Sequence, residues 1–361
     1  MSHYEDRLEQ DLGKIREQIA AMAGMVERGL NNAVHALQTG DRKLASTTIL
    51  ADHSINRWMR EIDRLCHAFI AVHLPSAGHL RVLSSAIRAN IAIERVGDYA
   101  VTIARVSQQL AAPPEGAMGR ELERISSEAQ MMLRQSITAF NERNAEMARA
   151  TMVLEQEIEY DLDSVYSELT ENADRERVKE VLSIFSVLTH LKRVADQAKN
   201  LCEETVFAVT GETKAPKVYN ILFLDEDNGC LSQMAEAVAR KTFPASGNYS
   251  SAGREPAAAL NPAMVEFMEQ RGFDLAAASP KPLDLTHKSL VEKHVIVSLQ
   301  GPVNDYIAKI PFHTTVLEWD VGSAPDGDDD SQKTQRLETI YREIAVQVRV
   351  LMESLRGTDA P

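Results

Sequence analysis

The feature that most constrains this chain is an internal repeat. Arg95, Val96, Asp98 and Ala100 return 98 residues later as Arg193, Val194, Asp196 and Ala198. Upstream the offset is 103, so that Ala36, Ala45, Thr48 and Ile55 return as Ala139, Ala148, Thr151 and Ile158. The change of offset implies a shorter loop in the second copy. A period of about a hundred residues means two copies of a small domain rather than a solenoid of short units. At the heart of the first copy is the stretch 87–103, IRANIAIERVGDYAVTI. On a helix, Ala89, Ile93, Val96, Ala100 and Ile103 form one apolar stripe. Ile87, Asn90, Ile91, Val101 and Thr102 share another face with Glu94 and Asp98. A helix apolar on two sides touches more than one neighbour, so this is the expected central helix of a bundle. Glu94 and Asp98 are four apart and stack their carboxylates on one half-buried face. Carboxylates taken out of water need a counter-charge or a metal ion.

The rest of each copy has the same periodicity. Leu12, Ile15, Ile19, Met22, Val26, Leu30 and Leu37 mark a first helix that ends at Gly40. Asp41 can cap a second, running towards residue 73, and Pro75 and Gly78 break it before the central helix. The turn-rich AAPPEGAMG, 111–119, links to the second copy, whose helices are expected over 122–141, 145–171 and 177–210. Past residue 211 the pattern changes. VYNILFL, 218–224, is an apolar β-prone run, followed by a helix at 232–242 and a short strand near Tyr249. A helix over 261–271, strands over 294–298 and 314–319, and a C-terminal helix with Leu337, Ile340, Ile344, Val348 and Leu351 on one stripe complete the chain. Strands alternating with helices argue a parallel sheet. The expected architecture is a tandem three-helix bundle, residues 1–112 and 118–212, followed by a small α/β domain over 217–361.

The formal net charge of −14 argues against a nucleic-acid partner, since phosphate contacts need basic patches. Cys66, Cys202 and Cys230 are odd in number and far apart, which suits a reducing compartment. The polar N-terminus is no signal peptide, and no apolar run approaches the roughly 20 residues that span a bilayer. A soluble, cytoplasmic protein is expected.

Glu94, Arg95 and Asp98, with Arg193, Asp196 and Asn200 in the later copy, resemble the E-R-x-x-D-x-x-x-N motif of the PhoU family, whose members are tandem three-helix repeats. Thr102 replaces the Asn in the first copy, and Lys192 replaces the acid in the second. The resemblance implies a cytoplasmic accessory protein that restrains the phosphate-starvation response, acting with a phosphate ABC transporter and its sensor kinase. Its long helical faces suit contact with other proteins, a second copy of the chain included. It further implies a divalent or transition metal ion on the paired acids. The first-copy candidates are Glu94, Asp98 and Asp52, with Asn56 beside it; those of the second copy are Asp196, Glu155 and Glu159, where Lys192 competes.

After the first strand, Asp225 to Glu236 reads DEDNGCLSQMAE. This resembles the C-x-G-N-x-C-R-S-x-M-A-E pattern of low-molecular-weight tyrosine phosphatases and the arsenate reductases of the same fold. The S-A-G ending at Gly253, Asn261 with Pro262, and SPKPL over 279–283 extend the resemblance. The departures fall on the chemistry. Asp225 stands where the nucleophilic thiolate belongs, and Leu231 where the anion-gripping Arg belongs. The acid expected after the 294–298 strand is absent from Leu299, Gln300 and Gly301. The implied reading is a degenerate anion loop, made of Asp225, Asp227, Asn228, Cys230, Leu231 and Ser232, in a domain that binds a ligand or partner without turning it over.

Other readings stand beside these. The strand followed by D-x-D at Asp225 and Asp227 resembles the haloacid-dehalogenase phosphatases, a short and weak signal. A phosphatase or arsenate reductase tethered to a PhoU module, and a protein whose metal ion is the message, are the alternatives in function. For Glu94 and Asp98 the plain reading is a salt bridge with Arg95, Arg88 or a neighbouring helix. His53, His67, His73 and His79 read as a solvated helix end, Trp58 and Trp319 as packing residues without stacking partners, and DGDDD over 326–330 as an acidic loop.

Overall fold

The computed structural model describes residues 3–155, 158, 178–325 and 330–357. The chain divides into two compact units, Met1–Lys214 and Ala215–Pro361. The first is helical: α1 His3–Thr39, α2 Arg42–Val72, α3 Ala77–Gln109, α4 Gly116–Glu142, α5 Ala145–Met152 and α6 Val178–Thr210. Gly40 ends α1 with φ 73°, a conformation that costs glycine little. Asp41 then caps α2 by accepting from the Lys43 and Leu44 amides. Ser76 opens α3 in a capping box with His79.

The α3 helix packs against α1, α2 and α6, while α6 packs against α3, α4 and α5. The first stripe read from its sequence is used in full, whereas on the second Asn90 and Val101 are buried but Ile91 is 36% exposed. Ala89, Ile93, Val96, Ala100 and Ile103 are buried in one core with Leu12, Ile19, Met22 and Leu30 of α1 and Leu188, Leu191 and Val194 of α6. Residues 156–157 and 159–177, which include Glu159 and most of the helix expected over 145–171, lie outside the described residues. The α4 helix starts earlier than the apolar pattern indicated, because its first turn, Gly116 to Gly119, carries only one long apolar side chain, Met118, and so no stripe to read. His73 is not solvated: it is buried, and its Nε2 lies 3.1 Å from Asp11 Oδ2.

The second unit holds β1 Tyr219–Asp225, α7 Leu231–Thr242, β2 Gly247–Gly253, α8 Pro262–Glu269, α9 His287–Val291, β3 Val295–Ser298, β4 Thr315–Glu318 and α10 Asp330–Arg356. The strands run in the order β2-β1-β3-β4, all parallel. β1 is central and buried on both faces, hence its unbroken apolar run. Ile221 and Phe223 enter the core made with α7, α8 and α10; Leu222 and Leu224 enter a smaller core with Leu290 and Ile296. Trp319 has a ring neighbour after all, Phe223, with centroids 5.8 Å apart. The short α9 and the single 3-10 turn at Val303–Asp305 were not foreseen; neither is long enough to show a period. No helix among the described residues is long and apolar enough to cross a membrane.

Ile93 is 2% exposed at the centre of the helical unit. Ile93→Ala is expected to cost that unit about 2–5 kcal/mol, the range for truncating a buried aliphatic side chain. Chemical denaturation followed by far-ultraviolet circular dichroism would measure the loss.

Candidate functional site

Two places gather the residues singled out from the sequence. The first lies between α2 and α3. Asp52 on α2 accepts from Asn56 Nδ2 at 2.8 Å through Oδ2, while its Oδ1 is buried without a hydrogen-bond partner. Asp52 also borders a cleft of about 290 Å³ that includes Arg28, Asn32, Thr47 and Ser54. Gly97 on α3 keeps this place open, since a Cβ there would meet Asp52 Oδ1 at 3.5 Å and Ile55 at 3.3 Å. Burial raises the Asp52 carboxyl above its ordinary 3.8, and the charge of Asp98 raises it further. Burial likewise raises Glu94 above 4.5, with Asp98 and Asp52 adding to the rise. The three acids therefore feel one another. Glu94 is half-buried, but Asp98 is exposed, which the pattern did not reveal. Among the described residues neither Glu94 nor Asp98 makes an ion pair, and Arg88 turns instead to Glu204 at 2.9 Å.

The donor set of this first copy fits a hard cation in chemistry and charge: three carboxylates, one of them with an orphaned buried oxygen. Among the described residues, no three His, Cys, Asp or Glu side chains converge on one point. The second copy does not fit. Glu155 is 8% exposed and accepts from Lys199 Nζ at 2.6 Å, with Lys192 Nζ at 4.0 Å. Asp196 pairs with Lys192 at 3.2 Å. Two ammonium groups already supply to Asp196 and Glu155 the charge a metal would bring. Lys192 was flagged in the sequence; Lys199 was missed, because nothing in its spacing aims it at Glu155.

The second place is the loop between β1 and α7. Asp225 ends β1, 1% exposed, and its carboxylate turns into the loop. Oδ1 accepts from the Asn228 amide at 2.6 Å and from Ser232 Oγ at 2.8 Å, and Oδ2 accepts from the Ser232 amide at 2.9 Å. The Gly229 amide donates to Asp227 Oδ1 at 2.8 Å. Amide groups at a helix start, where an anion would ordinarily sit, are thus occupied by the chain's own carboxylates. Burial lifts the Asp225 carboxyl above its usual 3.8, the Ser232 and Asn228 donors pull it down, and Asp227 adds to the lift.

Asn228 is the hub. It has φ 51°, a left-handed conformation that Asn tolerates better than most residues. Its Nδ2 donates to Ser232 Oγ at 2.7 Å, and its Oδ1 accepts from Gln233 Nε2 at 2.9 Å and the Lys281 amide at 2.7 Å. Gly253 presses against the loop backbone; a Cβ there would lie 2.6 Å from the Asn228 nitrogen. Cys230 is buried, and desolvation with the nearby charges of Asp225 and Asp227 pushes its thiol up to about 12, far from a thiolate at neutral pH. Leu231 points into the core with Phe223 and Met234 instead of offering a guanidinium. Glu226 pairs with Arg254. Gln233, Lys281 and Glu236, whose carboxylate binds Lys281 Nζ at 3.0 Å and Ser251 Oγ at 2.6 Å, were missed as loop supports. The SPKPL segment was noticed for its resemblance, and Lys281 within it was the available signal.

A family profile described as PhoU domain matches residues 19–107 and 122–205. The phosphate-specific transport system accessory protein PhoU homolog of Pseudomonas aeruginosa is 31% identical over 212 residues, covering 58% of this chain and 88% of that protein. This chain belongs to the PhoU family. The PhoU protein of Escherichia coli is 25% identical over the same length, 88% of its own chain. The crystal structure of PhoU from Pseudomonas aeruginosa superposes with a TM-score of 0.55 at 31% identity, over 56% of this chain and 99% of that one. A second profile, low molecular weight phosphotyrosine protein phosphatase, matches residues 220–359. After its two PhoU repeats the chain therefore carries a segment that matches the profile of this phosphatase family.

The raised carboxyls of the first repeat have a pH consequence. A carboxyl whose folded pKa exceeds its unfolded 3.8 or 4.5 binds its proton more tightly in the folded state, so stability falls as pH rises through that window. Without metal, Asp52→Asn is expected to raise the melting temperature at pH 7 and to have less effect near pH 4. Calorimetry with and without Mg²⁺, Mn²⁺ or Zn²⁺ checks the cation: it should stabilise the wild type and leave an Asp52→Asn, Glu94→Gln variant unmoved.

Proposed function

We propose that this protein is a PhoU-type regulator that acts with a phosphate transport system on the cytoplasmic side and restrains the phosphate-starvation response. What supports the regulatory half is the match of both repeats to accessory proteins of phosphate-specific transport over nearly their full length. A transporter component and its sensor kinase are the partners this reading names. The acidic surface, with a net charge of −14, suits basic loops of such a complex. In the first repeat, Asp52, Glu94 and Asp98 would hold a divalent or transition metal ion, which would supply the positive charge their α2–α3 face lacks.

The phosphatase-like domain, in this reading, is a non-catalytic module. The observation that carries it is the Asp225 carboxylate, folded into the loop and held by Asn228 and Ser232. A phosphoryl-transfer site of this kind needs a thiolate and a bidentate cation facing the anion; here the thiol of Cys230 is neutral and Leu231 is apolar. The haloacid-dehalogenase reading fares no better on geometry, since an attacking carboxylate must face substrate, and Asp225 is 1% exposed with its oxygens engaged by the loop. The loop remains rigid and can present a shaped surface to a partner.

The full-length protein is expected to turn over neither an aryl phosphate nor arsenate above the uncatalysed rate. Aryl phosphate hydrolysis abolished by Asp225→Asn would restore the enzyme reading. In cells grown in phosphate-rich medium, deletion should raise expression of phosphate-starvation genes, and a chain ending after Thr210 should keep part of the restraint. An unchanged response on deletion would remove the regulatory proposal.

A further inference from the structure

The helical unit contains an apolar cavity that neither the acids of α2 and α3 nor the loop explains. Its volume is about 270 Å³, and its walls come from α1, α3, α4 and α6. Ile15 and Ile19, Ala86, Phe140, Thr205 and Ala208 are among the residues that form it. That is near the lower end of the roughly 300–1,000 Å³ of small-molecule sites.

Three charged residues border the cavity: Arg16, Glu17 and Arg143. Among the described residues neither guanidinium is ion-paired, in a chain whose net charge is −14. Arg143 also sits where a residue other than glycine is unusual. It closes α4 in the left-handed conformation, φ 55° and ψ 42°, the position glycine favours at a helix end. Among the described residues, only Asn228 shares a positive φ without being glycine. The same residue is among those that border the apolar cavity.

We propose that this cavity binds a small amphiphilic carboxylate, with the aliphatic or aromatic body between α1, α3, α4 and α6 and the carboxylate on Arg16 and Arg143. An apolar pocket with a few convergent polar groups is the usual form of a small-molecule site. Two guanidiniums against one Glu17 leave the rim net positive, which selects an anionic head over a cationic one. The site is distinct from the acid cluster and from the anion loop, so it does not depend on either proposed role.

The test uses the full-length protein and decanoate, kept below its micelle concentration, titrated by calorimetry. Saturable binding at one site per chain is expected, with decylammonium failing to bind. Arg16→Ala with Arg143→Gly should weaken decanoate by about ten-fold or more, the loss expected for a charge-assisted contact. Glycine at 143 is compatible with the backbone there, so that variant should keep its fold, as circular dichroism would verify. Ala208→Trp, which fills the cavity, should abolish binding. Non-saturable uptake, equal binding of decylammonium, or unchanged affinity in the double variant would each overturn the proposal.

Discussion

A carboxylate removed from water must be given a cation, a set of donors or a proton, and the places that set this protein apart are three answers to that demand. In the second repeat the answer is lysine, with Lys199 and Lys192 supplying the charge for Glu155 and Asp196. In the loop after β1 the answer is hydrogen-bond donors, two amides and a hydroxyl for Asp225. In the first repeat no lysine answers the charge: Asn56 donates to one oxygen of Asp52 while the other is buried without a partner, and burial together with the charge of Asp98 raises the proton affinity of Asp52 and of Glu94. The two repeats, alike in the pattern of their sequence, are thus unlike in electrostatics at these positions, where lysines face the acids of the second copy.

The loop shows how exchanged residues, Asp225 above all, redirect a structure without dismantling it. The fold around it is intact: a parallel sheet with β1 at its centre, Gly253 pressed on the loop, and Asn228 tied to Ser232, Gln233 and Lys281. Amides oriented for an external anion are satisfied by an internal one. The cost of burying Asp225 is offset by its three donors, and the arrangement is closed in the sense that its hydrogen bonds lie within the chain.

Much of the helical unit could be read from periodicity, because a long helix repeats its buried positions many times. The two stripes of α3, the breaks at Gly40 and Pro75, and the two-copy plan all follow from such repetition. Short elements have no such redundancy: α9 and the 3-10 turn at Val303–Asp305 left no period to find. The same holds for His73, whose burial against Asp11 depends on how α1 and the end of α2 meet.

The sequence by itself determined the family, the order of the elements and which residue types had been exchanged at the phosphatase-like loop, since each is a local pattern or a motif at fixed spacing. Only the tertiary structure decided where the charges go. That Lys199 reaches Glu155, that Asp98 faces solvent while Asp52 keeps a buried oxygen, and that Arg16 and Arg143 flank one cavity are distances between residues far apart in the chain. Electrostatic interaction depends on separation in space and on burial, and neither quantity is encoded in spacing along a helix.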